Sequence, residues 1–226
     1  MSDATTTRWS LILAARGAGR SAHAALAQLC AAYRPVVLAH FQRLDPGANA
    51  DDHTQSFFVH FLEQRLPDRA DAAPGSFRAF LYAAARNHWR QSWRSENARK
   101  RDAGLADAGA LDSIAGPGPD PEHEFDRDWA LHVIHRARER LKEGVARSGR
   151  TKLFAAVQGY LLEPPEASDY VRIGAALGMP ANTVAVAVRR LRERLRQLVR
   201  SELADTLPPG TDLDAELQWL RQALRG

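Results

Sequence analysis

Residues 168–198 constrain the fold of this chain more than any other stretch. Three apolar residues recur there at helical spacing, namely Tyr170, Ile173 and Leu177. Gly178 can adopt the left-handed conformation that ends a helix, and Pro180 is tolerated only where a helix starts. Ser168 or Asp169 would cap the first helix. The stretch therefore predicts two helices that meet at a tight corner.

The second of these helices has the form of a recognition helix. One face is an apolar stripe of Val184, Val188, Leu191, Leu195 and Leu198. In a helix-turn-helix, the second helix enters the DNA major groove, where its first residues reach base edges and later basic residues hold phosphates. The candidate base readers are Asn182, Thr183, Ala185, Val186 and Arg189, and the candidate phosphate contacts are Arg190, Arg192 and Arg196. The alternative is that this arginine-rich face is simply solvated.

The composition is that of an ordinary globular protein. With 226 residues, 45% hydrophobic and 26% charged, the chain can hold two small domains or one large one. The single cysteine, Cys30, excludes an intramolecular disulfide and fits a reducing compartment, so we expect the cytoplasm. The apolar run at residues 9–15 is too short to cross a membrane, and we expect neither a membrane span nor an export signal. A net charge of +4 allows a polyanionic partner.

Charge is distributed in blocks that predict the domain boundaries. Residues 86–101 are mainly basic, and acidic residues follow as far as Asp128. Within residues 102–121 the chain is rich in Gly, Ala and Pro, which predicts a flexible acidic linker. We therefore predict an all-α fold with two helical domains, residues 1–101 and 122–226. The second domain contains the helix-turn-helix and ends in a helical extension.

Aromatic rings and guanidinium groups alternate along one face of a helix predicted near residues 74–99. The residues are Tyr82, Arg86, Trp89, Arg90 and Trp93. Such a face binds unpaired nucleic acid, because bases stack on the rings while arginines follow the backbone. The alternative for each tryptophan is packing against a neighbouring helix. In the preceding helix Phe57, Phe58 and Phe61 leave core packing and a partner surface both open.

Three segments resemble the extracytoplasmic-function sigma factors of bacterial RNA polymerase. Residues 49–58, N-A-D-D-H-T-Q-S-F-F, are similar to the D-A-E-D-L-T-Q-E-F-F segment in region 2.2 of that family. Residues 76–90 resemble its region 2.3 to 2.4 helix, and residues 170–192 resemble its region 4 helix-turn-helix. The order and spacing of the segments match the family, so the resemblance covers nearly the whole chain.

The resemblance implies a protein that binds core RNA polymerase, directs it to promoters and helps to melt the −10 region. The implied polymerase-docking residues are Asp51, Asp52, Gln55 and Phe58. The loop at residues 67–75 would capture a flipped base, and the residues near the non-template strand would be Arg78, Tyr82, Arg86, Asn87 and Arg90. Residues 182–190 would read the −35 element as duplex. An anti-sigma factor is a further partner that the resemblance allows.

Two positions depart from the family pattern in its region 2.2 segment. Asn49 stands where the family has its first acid, and His53 stands where it has Leu. One carboxylate expected against the polymerase is therefore missing. Thr54 adjoins this site, and a phosphate there would add about −1.5 to −2 charges. We hypothesise that a Ser/Thr kinase activates the chain through Thr54, as the resemblance to relatives that lack these acids implies.

The sequence does not indicate an enzyme, a metal site or a cofactor. His132 and His135 lack further ligands at suitable spacing, and neither a phosphate-binding loop nor a nucleophile motif is present. The rival interpretation is a dimeric helix-turn-helix regulator that binds duplex DNA without polymerase. A third is a protein-interaction module. The last helix, near Leu213, could pack on the second domain, contact the polymerase or mask the DNA-binding face.

Overall fold

The protein is described by a computed structural model over residues 20–45, 49–64, 76–102, 120–208 and 210–225. Within these ranges the chain is helical and contains no strand, so the predicted all-α class is confirmed. The helices are α1 (Arg20–Leu44), α2 (Ala50–Glu63), α3 (Phe77–Asp102), α4 (Pro121–Arg147), α5 (Thr151–Val157), a 3-10 turn (Gln158–Tyr160), α6 (Ala167–Leu177), α7 (Ala181–Ala204) and α8 (Leu213–Ala223).

Three predicted features lie outside the described residues. They are the apolar run at residues 9–15, the loop at residues 67–75 and residues 103–119 of the linker.

The chain divides into two compact units whose bounds differ from the predicted domains. The first unit contains the described residues up to His132 together with those from Asp205 onward, and the second is Val133–Ala204. Residues 122–132 and 205–225, which we predicted for the second domain, thus belong to the first unit. The helix α4 contributes its first turns to one unit and its later turns to the other.

Aromatic side chains fill the core of the first unit. Tyr33 of α1 stacks on Trp129 of α4, with ring centroids 4.9 Å apart and ring planes 9° from parallel. Phe125, one turn earlier in α4, meets the His40 ring edge-on at 5.5 Å and the Tyr82 ring at 5.3 Å. Each such pair contributes about 0.5–1.5 kcal/mol beyond the burial of its area. The first turns of α4 are therefore part of this core.

Two histidines are buried in the same core. Burial is the main reason why the pKa values of His40 and His88 are both lowered to about 4. The His88 Nε2 atom lies 3.3 Å from the Ser56 hydroxyl, which gives the ring a polar partner. Both imidazoles are consequently neutral at pH 7, and the core holds no buried positive charge at these positions.

Apolar contacts of α7 organise the second unit. One cluster contains Ala137, Leu141, Val145, Phe154, Leu161, Leu195 and Leu198. A second cluster contains Val157, Ile173, Val184 and Val188. The half-buried Leu191 packs against both clusters. The predicted apolar stripe of α7 is confirmed, because all its other members are buried.

A buried carboxylate joins the end of α7 to α4 within the second unit. Glu202 is 1% exposed and accepts hydrogen bonds from Arg136 Nε at 3.2 Å and Arg140 Nη1 at 3.0 Å. Burying a carboxylate is costly unless the charge is compensated, and here two arginines that are each about a third exposed supply that compensation. The contact therefore fixes the register of α7 along α4.

The corner between α6 and α7 has the predicted glycine but a different cap. Gly178 has φ +64° and ends α6, as predicted. The N-cap is Glu166, where Ser168 or Asp169 was predicted, and the Glu166 N–H donates to the Asp169 carboxylate at 3.2 Å in a capping box. Across the turn at residues 178–180 the chain bends by 106°.

One described helix, α1, has the length and composition of a membrane span. Its most apolar window of 18 residues has a mean hydropathy of 1.2, and 39% of that window is buried. The pair α6 and α7 meets the criterion only when the bent pair is counted as one span. Core helices of globular proteins meet the same criterion, and the aromatic contacts of α1 are those of a core helix. The expectation of no membrane span stays a prediction.

We predict that Gly174→Ala destabilises the second unit by about 1–3 kcal/mol. A Cβ at this position would lie 2.5 Å from the Met179 carbonyl oxygen, and backbone at a corner cannot yield as a flexible side chain can. The control is Gly144→Ala in α4, where nothing lies within 4 Å of the added atom and helix propensity favours alanine by up to about 1 kcal/mol. Urea unfolding followed by circular dichroism compares them, and equal stabilities would contradict the close approach.

Candidate nucleic-acid interface

Two surfaces carry the predicted nucleic-acid contacts, one in each unit. The surface on the second unit is the α7 face, which we define as Asn182, Thr183, Arg189, Arg190 and Arg196. All five residues are exposed. They point outward because the apolar stripe of the same helix is turned into the core, and residues on opposite sides of a helix cannot both be buried by one neighbour.

The arginines of the α7 face differ in whether they form an ion pair with a carboxylate of the chain. Arg189 and Arg190 have no carboxylate within salt-bridge distance in the described part of the chain. Arg196 pairs with Glu193 at 2.8 Å, one turn away on the same exposed surface. Such an exposed pair contributes at most about 1 kcal/mol and opens readily. The guanidinium groups of Arg189 and Arg190 are therefore the most available on this face.

The other predicted members of this set are less exposed. Arg192 is half-buried, and its Nη1 atom donates to the Tyr160 carbonyl oxygen at 3.4 Å. Ala185 and Val186 are also half-buried. The structure thus brings all eight predicted residues to one helix but presents only five of them fully to solvent.

A cavity of about 810 Å³ opens beside α7. Thr183, Val186 and Arg190 line it, together with Arg150 and Lys152 next to the start of α5. Among the residues that line this cavity there are cations but no carboxylate. Sequence reasoning missed Arg150 and Lys152, for which the only signal was the short basic run beside Gly149.

The α3 surface is smaller than the sequence predicted, because two of its rings belong to the core. Trp89 is 9% exposed and lies edge-on to the His53 ring at 4.8 Å and near Phe41. Tyr82 is also buried, against His40 and Phe125. Of the two alternatives that the sequence left open for Trp89, core packing is what the structure has. A base cannot stack on a ring whose faces are already covered.

Apart from Arg78, the rest of the predicted α3 set is at least partly accessible. Asn87 and Arg90 are exposed, and Arg86 and Trp93 are half-buried. The exposed Arg94 follows Arg90 by one helical turn. We define the α3 stripe as Arg86, Arg90, Trp93 and Arg94, which share one side of the helix at spacings of three and four residues. The stripe retains one ring among three guanidinium groups.

Arg78, at the start of α3, is not presented to solvent. Its guanidinium forms an ion pair with Asp126 of α4, and its Cζ atom lies 3.9 Å from the centre of the Trp219 ring of α8. The side chain is 15% exposed. The sequence prediction of a DNA contact at Arg78 therefore requires these two partners to move.

The predicted polymerase-docking residues lie along α2. Asp52 and Gln55 are exposed, and Asp51 is exposed but pairs with Arg34 at 2.5 Å. The half-buried Phe58 contacts the Phe57 ring at 5.1 Å. The apolar residues Val59 and Leu62 are exposed on the same helix. The surface combines carboxylates at the start of the helix with apolar side chains further along it.

The structure argues against phosphorylation of Thr54. This residue has no exposed surface, and its hydroxyl donates to the Ala50 carbonyl oxygen at 2.6 Å within α2. A kinase needs the hydroxyl in an extended, accessible segment, so α2 would first have to unfold.

No group of three or more His, Cys, Asp or Glu in the described ranges has a geometry that holds a metal ion. Comparison with known proteins finds no matching protein family, no matching characterised protein and no matching solved structure.

We predict that the two tryptophans of α3 respond differently to truncation. Trp89→Ala should lower the free energy of unfolding by about 3–5 kcal/mol, because it empties a buried site. Trp93→Ala should change it by less than about 1 kcal/mol, because the ring is partly in solvent. Thermal unfolding of both purified variants measures this, and a Trp93 variant as unstable as the Trp89 variant would show that the α3 stripe is core.

Proposed function

We propose that the chain is a sigma factor of the extracytoplasmic-function type. It binds bacterial core RNA polymerase in the cytoplasm, directs it to promoters through duplex contacts of α7 and helps to open the −10 region through α3. It acts without a cofactor, and the polymerase carries out the chemistry. The observation that carries this proposal is the α6–α7 corner with its outward basic face.

The geometry of the corner supports a helix-turn-helix. The motif has two helices at about 90–120° joined by a turn of three or four residues that often contains Gly. Here the bend is 106°, and Gly178 occupies the turn. In the motif, the residues at the start of the second helix face base edges. Asn182 and Thr183 hold that position. Arg189 follows on the same face as a further base reader, and Arg190 lies beside it where a phosphate would lie.

The α3 stripe supports a role with unpaired DNA. Binding of a single strand combines a basic track for the backbone with aromatic rings on which bases stack, each worth about 1–3 kcal/mol. Trp93 supplies a partly exposed ring, and Arg90 and Arg94 supply the charges. Because Trp89 is in the core, we assign the stacking role to Trp93.

The surface of α2 supports docking on a basic, partly apolar partner. Asp52 and Gln55 are free to meet a positively charged surface, and Phe58 with Val59 and Leu62 forms an adjoining apolar area. Asp51 is held by Arg34 through an exposed pair of low stability, so a stronger partner can displace that arginine. The order of these surfaces along the chain is docking, strand contact, then duplex contact, as in the family that the sequence resembles.

The proposal predicts that the purified chain makes core polymerase transcribe selectively from a library of promoter fragments. Arg189→Ala and Trp93→Ala should each reduce the yield of transcripts by about tenfold or more, since each removes a contact of about 1–3 kcal/mol. Lys142→Ala, which removes one exposed charge from α4, should leave the yield unchanged. Trp93→Phe, which keeps a ring, should restore most of the activity.

Two outcomes would contradict the proposal. One is the absence of transcripts with every variant and the wild type, together with tight duplex binding by the chain alone, which is the behaviour of a dimeric regulator. The other is an equal loss of transcripts in Arg189→Ala and Lys142→Ala. That result would show that the yield depends on overall positive charge and not on the α7 face.

A further inference from the structure

The last helix of the chain belongs to the first unit, far in sequence from the residues that it contacts. The helix α8 is capped by Asp212, whose carboxylate accepts hydrogen bonds from the N–H groups of Asp214 at 2.9 Å and Ala215 at 3.3 Å. Leu220 and Ala223 are buried on its inner side. The helix is therefore a packed element of this unit.

One side chain from each of α3, α4 and α8 takes part in a cluster of contacts. The Trp219 Nε1–H group donates to Asp126 Oδ2 at 2.9 Å, and Asp126 also pairs with Arg78. The Arg78 guanidinium lies over the Trp219 ring, with 3.9 Å from Cζ to the ring centre. We call Arg78, Asp126 and Trp219 the closing cluster. The Trp219 N–H group and the Asp126 carboxylate have their partners within the cluster, whereas the buried Arg78 Nε atom has no hydrogen-bond partner in the described part of the chain. Arg78 and Asp126 are only 15% and 14% exposed.

The partners of Arg78 are of the kinds that a nucleotide would offer. A guanidinium binds phosphate oxygens as it binds a carboxylate, and it stacks on a base as it stacks on an indole. In the closing cluster Asp126 supplies the anionic oxygens and Trp219 supplies the flat ring. A second acid, Glu216, also faces Arg78: burial raises the pKa of Glu216, and the charge of Arg78 opposes that rise.

We propose that Arg78 is a binding residue for single-stranded DNA and that α8 is an autoinhibitory element which masks it. Asp126 and Trp219 occupy the places of a phosphate and a base, so the strand and α8 compete for the same guanidinium. This inference rests on the proposed function in so far as it takes the strand to be promoter DNA. Release of α8 when the chain meets polymerase and an open promoter would then expose Arg78 next to the α3 stripe.

The test is the affinity of the purified full chain for a fluorescein-labelled oligothymidylate, measured by fluorescence anisotropy without polymerase. Trp219→Ala should tighten binding by about tenfold, as expected for one added charge-assisted contact. The slope of log affinity against log salt should steepen by about 0.7, which corresponds to one more phosphate contact. Adding Arg78→Ala to Trp219→Ala should remove both changes. Gln222→Ala, on the exposed side of α8, is the matched control and should bind as the wild type does.

A second pair of variants keeps the test valid if Trp219→Ala unfolds. Trp219→Phe retains a smaller aromatic ring and removes the N–H donor, and Asp126→Asn removes the charge that competes with phosphate. Both should give smaller gains in affinity that Arg78→Ala abolishes. Unchanged or weaker binding in folded variants, or a gain that persists without Arg78, would overturn the inference. The anisotropy assay contains no polymerase, so its result does not depend on the transcription assay. If the chain failed to direct promoter-selective transcription, only the proposed function would be contradicted.

Discussion

The stacking of Trp129 on Tyr33 is the contact on which the first unit depends. It makes the first turns of α4 part of the aromatic core, together with Phe125. Because a helix is rigid, burying these rings also fixes the acidic residues between them. Asp126 reaches Arg78, and the neighbouring Asp128 accepts from Arg43 Nη2 at 2.7 Å. The masking of Arg78 is thus a consequence of apolar packing, and the ionic contacts follow from it.

The second unit depends on a different constraint, the close approach of backbone at the α6–α7 corner. The Met179 carbonyl oxygen lies so close to Gly174 that a Cβ atom at this position would clash with it. Gly178 then adopts a positive φ, which allows the chain to turn. The apolar stripe of α7 sets its rotation, and Glu202 sets its register against α4. Together these contacts leave only one face of α7 outward. The exposure of Arg189 and Arg190 is therefore determined by residues that lie outside the α7 face.

Local signals in the sequence predicted the helices and the corner. Which side chains are buried depends on contacts between residues distant in sequence, and the sequence did not predict these. The corner and the rotation of α7 are determined by short-range signals, namely Gly178, Pro180 and the apolar period of α7. Such signals can be recognised in the sequence alone. Trp89 lies on a helix with apolar residues on two sides, and only the positions of Phe41 and His53 decide that it is core. The contact of Arg78 with Trp219 joins residues that are far apart in the sequence. Thr54 has a polar side chain but is buried, because its hydroxyl bonds to its own helix.

In the proposed function, α3 would contact the unpaired strand of a promoter and α7 would contact its duplex. The most direct measurement is site-specific cross-linking with a photoreactive residue in place of Trp93 or Arg189, on a promoter fragment bound by core polymerase and the chain. We expect position 93 to link to the non-template strand within the melted stretch and position 189 to link to duplex upstream, both only when polymerase is present. Links from both positions to duplex without polymerase would rule out these roles.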